Sequence, residues 1–540
     1  MHIDEINISH TNPFVQAYKE KKREAMAFFD YGTSDTEIKK RYDAIKERSF
    51  NREALYAHLY QYNQRFLFCD NALRELKKLP NSDSVMVVAG QQAGLATGPM
   101  YTITKAVTVV KEAERLEKIL GVPVLPVFWI AGEDHDWEEV NHIILPGSQH
   151  PTRVTYKGTY YKGASVSEQS MDETAWESWW EMVLTYLEET PYTREIYEKL
   201  RMFVKRAATF TDFFGEVMRW LFRDTGLVML DAHHPDIRQL EKGFFQELIT
   251  DNDILRTAAE GGMKQRECSD YTLPAGLPRG SAHLFYHHHR QRHLLYPAED
   301  GGFTVKNGHV YFSKKELLDM LQASPHVFST NVLTRPLMQE KLLPVAAFVA
   351  GPGEIDYWSV LYEVFHRWNV MVPPVLPRFE WTLVPRHVQS YVDKEGLTAQ
   401  DILTGKIDEI MHQILKETKQ VDGKKLGEDM LANMAADHQK MQQAWEALNP
   451  AESRFAATNW HLLEKTVMTF ANKIDGFQKK QEECRLQKLR KSKQLLYPDG
   501  KPQERVYNIL YFLNQYGSDF VMSLNALSFS GRGAHKLISL

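Results

Sequence analysis

The chain reads as an α/β protein: a Rossmann-like, doubly wound parallel sheet with connecting-peptide insertions and a C-terminal α-helical coiled-coil hairpin. Three observations lead there. Short, wholly apolar runs alternate with helical periodicity, the pattern of strands covered on both faces. Two long stretches interrupt that alternation. The last third of the 540 residues loses its strands and acquires apolar spacings of three and four.

The first eighty residues are helical with polar faces, as in "AYKEKKREAMAFFDYG" and "LYAHLYQYNQRF". The first strand, "SVMVVAG", empties into a glycine-rich turn and then the helix "KAVTVVKEAERLEKILG". "VPVLPVFWIAG" is the second strand, "GLVMLDA" the third, Leu343 to Ala350 the fourth and "NVMVPPVLPR" the fifth. The core and its N-terminal helices are expected over 1–385, with insertions at about 146–222 and 235–340, hung near the carboxyl ends of the strands. The coiled-coil domain and a C-terminal segment are expected over 386–540. There Leu431, Met434, His438, Met441, Trp445 and Leu448 form one heptad-like series and Ala456, Trp460, Leu463, Val467, Phe470, Ile474, Phe477, Gln481 and Cys484 another. A helical hairpin of this kind is a good dimerisation surface, so a homodimer is expected.

Composition narrows the function. A formal net charge of −5 and a pI near 6.5 argue against nucleic acid as a partner. No apolar run approaches the roughly 20 residues of a membrane span, and the start lacks the order of a signal peptide, so a cytoplasmic protein is expected. Cys69, Cys268 and Cys484 stand far apart and offer neither a disulfide framework nor a thiolate zinc site.

Three strand ends carry the chemistry. In "VMVVAGQQAGLATGPMYTITK", Gly90, Gly94 and Gly98 bare the backbone where a phosphate or carboxylate could approach, with Gln91, Gln92, Tyr101, Thr102 and Lys105 in reach. The spacing is neither the dinucleotide fingerprint nor the P-loop. The second strand ends in "WIAGEDHDWEEVNH", where Glu133, Asp134, His135 and Asp136 crowd four titratable groups together. Such crowding is costly unless a cation, an amine or a proton transfer uses it. A helical face carrying His135, Glu139 and His142 would be a metal site of a hydrolase, the lesser reading. The fourth strand ends in "AGPGEIDYW", with Glu354, Asp356 and Tyr357 beside two glycines. Two basic clusters are less specific. His287, His288, His289, Arg290, Arg292 and His293 read most simply as an exposed turn, and the cations from Arg485 to Arg505 complement a helix C-terminus.

Together, "VVAGQQAGLATGPMYTITK", "VFWIAGEDHDWEEVNH" and "VAGPGEIDYW", joined to the helical hairpin, make the chain resemble the BshC family, the cysteine ligases of bacillithiol synthesis, over essentially its whole length. That family is similar to class I aminoacyl-tRNA synthetases, although the His-x-Gly-His element is replaced here by "TGPMYTITK". The resemblance implies that cysteine is joined to the amine of glucosaminyl-malate, with ATP and magnesium activating the cysteinyl carboxylate and no protein-bound metal. Within that reading the residues of the second strand end, Asp134, His135 and Asp136, are expected to be catalytic, holding the amine or taking its proton. Gln91, Gln92, Gly94, Gly98, Tyr101, Lys105, Glu133, Glu354, Asp356 and Tyr357 would bind substrate, and Arg386, Arg490, Lys493 and Arg505 are the candidate nucleotide ligands. The alternative is a nucleotide-responsive scaffold with a degenerate Rossmann site.

Overall fold

Five apolar strands make one parallel sheet in the computed structural model, which describes residues 1–306, 310–417, 421–452 and 454–540. They are β1 (Val85–Gln91), β2 (Val124–Ile130), β3 (Val228–Asp231), β4 (Val345–Ala350) and β5 (Val375–Pro377), in the spatial order β5-β4-β1-β2-β3. Every residue of β2, β3 and β4 is buried, which is why these runs carry no polar alternation. Pro126, unable to donate, sits one residue before β2 begins its pairing with β3 at Val127. Strand order reverses between β1 and β4, so the crevice over their carboxyl ends is where a ligand of this fold belongs.

Helices pack on this sheet through their apolar faces. α1 (Arg52–Asn63) lies against β3 and α2 (Tyr101–Leu120) follows β1. α3 (Pro235–Thr250) follows β3, and α4 (Pro352–Trp358) follows β4, where Trp358 stacks on Phe348 at 4.4 Å. Such a pair contributes about 0.5–1.5 kcal/mol beyond its buried area.

Both insertions have structure of their own. The first holds the antiparallel pair His142–Leu145 and Thr152–Thr155 and three helices, with Trp176 and Trp179 fully buried. The second adds a helix, Asn252–Glu267, and a five-stranded antiparallel sheet that includes Leu284–His288, Gln291–Pro297 and Phe328–Thr330.

Packing divides the chain into two units, residues 2–382 with 501–538, and residues 383–500 with 1, 539 and 540. Residues 501–538, set apart with the helical domain on sequence grounds, pack with the sheet instead. The reason is specific. Asn508 Nδ2 donates to the Ala96 and Gly98 carbonyls at 2.9 and 2.5 Å, and Glu504 accepts Arg378 at 2.7 Å.

The other unit contains α5 (Gly423–Leu448) and α6 (Arg454–Leu496), which form the hairpin. Its seam differs in phase from the apolar series. Leu431, Met434, His438 and Trp445 are partly covered, but Gln442 rather than Met441 takes the inward position, and Met441 and Leu448 are 72% and 83% exposed. On α6, Ala471 replaces Phe470 at the seam, because a Cβ on Gly427 would already lie 2.9 Å from the Ala471 Cβ and no larger side chain fits there. No helix among the described residues is long and apolar enough to cross a membrane.

Candidate active site

The carboxyl ends of β1, β2, β4 and β5 open onto a cleft of about 830 Å³, within the usual range for small-molecule sites. Its lining brings together Gln91, Gln92, Tyr101 and Lys105 from the first strand end, Glu133, Asp134, His135 and Asp136 from the second, and Glu354 and Tyr357 from the fourth.

Lys105 is the buried hinge of this arrangement, 3% exposed. Its ammonium donates to Glu354 Oε2 at 2.6 Å, the Gly90 carbonyl at 2.7 Å and Gln91 Oε1 at 3.1 Å. Burial pushes its pKa below the ordinary lysine value, and Glu354 opposes that fall. All three donors are committed inside the protein, so Lys105 acts on a ligand through Gln91 and Glu354. Glu354 Oε2 also accepts the Gly351 N–H at 2.8 Å, which closes the first turn of α4.

The acidic turn after β2 is sorted by burial. Glu133 is inside, bonded to Arg238 and accepting Thr330 Oγ1 at 2.8 Å. Burial alone would raise its pKa, but Arg238 and Arg292 outweigh it and hold the carboxyl below the usual range. Asp134 accepts Gln92 Nε2 at 2.7 Å and the His135 N–H at 2.8 Å. Arg292 NH1 lies 3.4 Å from His135 Nδ1, and Asp134 Oδ1 lies 3.7 Å from the same nitrogen. Asp136 is exposed, and its carboxylate has no hydrogen-bond partner among the described residues. Asp134, His135 and Asp136 each present an atom within 4.8 Å of the others.

Several residues named from sequence lie elsewhere. Gly94 and Gly98 do not line the cleft. They pack the turn on itself, with Gly98 at φ +67° and a Gly94 Cβ only 2.7 Å from the Gly98 Cα. The following amide, of Met100, is spent on the Tyr507 carbonyl at 2.8 Å. Asp356 turns away from the cleft, accepting Asn12 Nδ2 at 2.9 Å and Arg266 at 2.8 Å. Its neighbours Glu354 and Tyr357, on a different face of the same helix, do line the cleft. Arg386, Arg490 and Lys493 belong to the 383–500 unit and are not lining residues; Arg490 is paired with Glu483 at 3.0 Å and Lys493 with Asp408 at 2.6 Å. Of the four nucleotide candidates only Arg505 lines the cleft. The helical face proposed for His135, Glu139 and His142 does not form: the helix stops at Val140, Glu139 accepts Gln92, and His142 opens a strand.

Sequence reasoning missed three cleft arginines, one of which, Arg378, is paired with Glu504 at 2.7 Å. Arg292 was grouped with an exposed turn, but strand alternation points it inward, where it lies 3.9 Å over the Phe285 ring and donates to Ser329 Oγ at 3.0 Å and the Thr330 carbonyl at 2.6 Å. The signal was available: only His289 and Arg290 have the positive φ of the hairpin turn, and Arg292 pairs with the buried His287. Arg335 carried no local signal. It lines the cleft beside Tyr357, its NH2 3.4 Å from the phenol oxygen.

Residues 1–379 match the family description "Bacillithiol biosynthesis BshC, N-terminal Rossmann-like domain" and residues 381–540 match "Bacillithiol biosynthesis BshC, C-terminal coiled-coil domain". Proteins named "Putative cysteine ligase BshC" from Geobacillus thermodenitrificans, Bacillus cytotoxicus and Bacillus cereus strain AH187 are 35%, 32% and 33% identical to this chain, each alignment covering 100% of both sequences.

Proposed function

The chain belongs to the BshC family of bacillithiol biosynthesis, and from that premise and the residues of its cleft we propose that it joins the carboxyl of L-cysteine to the amine of glucosaminyl-malate. An amide forms as the nitrogen attacks the cysteinyl carbon, and ATP supplies the leaving group that activates that carbon. The observation that carries this reading is that one cleft holds both an acidic turn and two arginines, Arg335 and Arg505, that make no ion pair with a carboxylate among the described residues, whereas Arg292 and Arg378 are paired with Asp134 and Glu504. It suits reactants with an amine at one end and an anion at the other.

The attacking nitrogen arrives as an ammonium and must lose a proton first. Asp136, exposed and unpartnered, takes that proton, while Asp134, braced by Gln92, holds the amine. His135, which lines the cleft with its Nδ1 beside Arg292, donates to oxygen. Arg335 and Arg505 hold the carboxylates or phosphates of the substrates. Lys105 is a positioning residue, since it reaches the cleft only through Glu354 and Gln91. Self-association through α5 and α6 is part of the same proposal, because Met441, Leu448, Phe470 and Phe477 leave an apolar outer stripe 63–83% exposed.

The test is reconstitution with cysteine, glucosaminyl-malate and magnesium ATP, read by mass spectrometry. Amide product with AMP supports an adenylate, and product with ADP an acyl phosphate. No product from folded protein would favour the scaffold reading, and full activity in Asp136→Ala would remove its assigned role.

A further inference from the structure

Away from the cleft, one imidazole is buried with nothing to bond. His58, on α1, is 5% exposed, and neither ring nitrogen has a hydrogen-bond partner among the described residues. A buried polar group left unsatisfied destabilises the fold unless something binds it. Two further donors face it from the start of α3. Asp236 Oδ2 lies 4.0 Å from His58 Nδ1 and 3.7 Å from His234 Nδ1, and the two imidazole rings are 5.0 Å apart.

We propose that His58, His234 and Asp236 bind one divalent transition-metal ion of the zinc class, with the remaining coordination position open to solvent. Two imidazoles and a carboxylate are a characteristic zinc donor set. Bonds of about 2.0–2.2 Å place tetrahedral ligand atoms roughly 3.4 Å apart. The carboxylate–imidazole separations of 3.7 and 4.0 Å, with all three ligand atoms within 4.8 Å of one another, therefore close onto an ion by side-chain rotation. The Asp236 side chain is 56% exposed, so the ion has a route from solvent. The nearby cation, Arg65, is already spent on Asp212 at 2.5 Å and rests on the Tyr62 ring at 4.5 Å. His234 Nδ1 accepts the Asp236 N–H at 3.3 Å, a long capping bond that the ion would replace. Bound there, the ion ties the N-terminal helices to the helix that follows β3, and stabilises the folded chain by mass action.

Cobalt is the probe. The full chain, stripped with a chelator, should take up one equivalent of Co²⁺ with the visible d–d bands of a tetrahedral nitrogen and oxygen site, and Zn²⁺ should displace it and raise the thermal midpoint. Asp236→Asn, a change at a largely exposed side chain, should weaken Co²⁺ binding at least tenfold and abolish the Zn²⁺ shift in midpoint. His58→Ala should do the same where it folds. Absence of the bands at stoichiometric Co²⁺ would overturn the proposal. So would bands of full intensity in Asp236→Asn, which would place the ion at another cluster, Glu168, His233 and His287 or Asp134, His135 and Asp136.

Discussion

Lys105 Nζ lies 2.6 Å from Glu354 Oε2, joining the helix after β1 to the helix after β4 across the point where the strand order reverses. Breaking a buried pair by removing one partner leaves an uncompensated charge and typically costs about 3–5 kcal/mol. Lys105→Met should therefore lower the denaturant-unfolding free energy by that order, and adding Glu354→Gln should recover part of the loss. Equal losses in the single and double variants would show that the pair is not coupled.

Arg292 braces His135 from behind while reaching Ser329 and Thr330. A lysine cannot reproduce that planar fork. Arg292→Lys should reduce kcat for amide formation about 100-fold, the lower range for a misplaced acid–base group, with KM little changed. Activity within twofold of the parent would remove Arg292 from the machinery.

Arg335 and Arg505 should divide the anionic ends between them. Arg335→Ala and Arg505→Ala should each raise one KM about tenfold, equivalent to about 1.4 kcal/mol, without lowering kcat. The substrate whose KM moves identifies the partner of each arginine; a fall in kcat alone would contradict a binding role.

His283 and His535 are buried neutral rings whose pKa values burial pushes down to about 4. The unfolded chain, with histidines near 6.5, binds more protons between those values. Their contribution to stability is thus complete above pH 6.5 and drains as the pH falls toward 4. Denaturation midpoints measured between pH 7.5 and 4.5 should fall on acidification, and His535→Gln, which keeps a polar partner for Thr382 Oγ1 at 2.8 Å, should flatten that fall. An unchanged slope in the variant would refute the assignment.

The outer stripe of the hairpin should mediate self-association. Phe470→Glu with Met441→Glu, both at exposed positions, should shift the protein toward monomer in sedimentation velocity without loss of helicity. A dimer that survives both changes would have to use another surface.

By itself, the sequence determined what local periodicity and composition can encode. All five strands of the sheet, the two insertions, the crowding of acids after β2 and the helical hairpin were legible, because burial on both faces of a parallel strand demands an unbroken apolar run. It also located the cleft's first, second and fourth strand ends. Tertiary structure decided what depends on distant segments meeting, or on a fraction of a helical turn. Asp356 faces Arg266 while Tyr357, one residue on, lines the cleft, and the choice is set by an N-terminal helix 344 residues earlier that supplies Asn12. The hairpin seam passes through Gln442 and Ala471 because a helix of 3.6 residues per turn drifts off a 3.5-residue reading, and because Gly427 admits only a small neighbour. Arg335 and the trio His58, His234 and Asp236 had no local pattern at all. Their chemistry exists only because the chain's folding closes separations in sequence that no spacing rule spans.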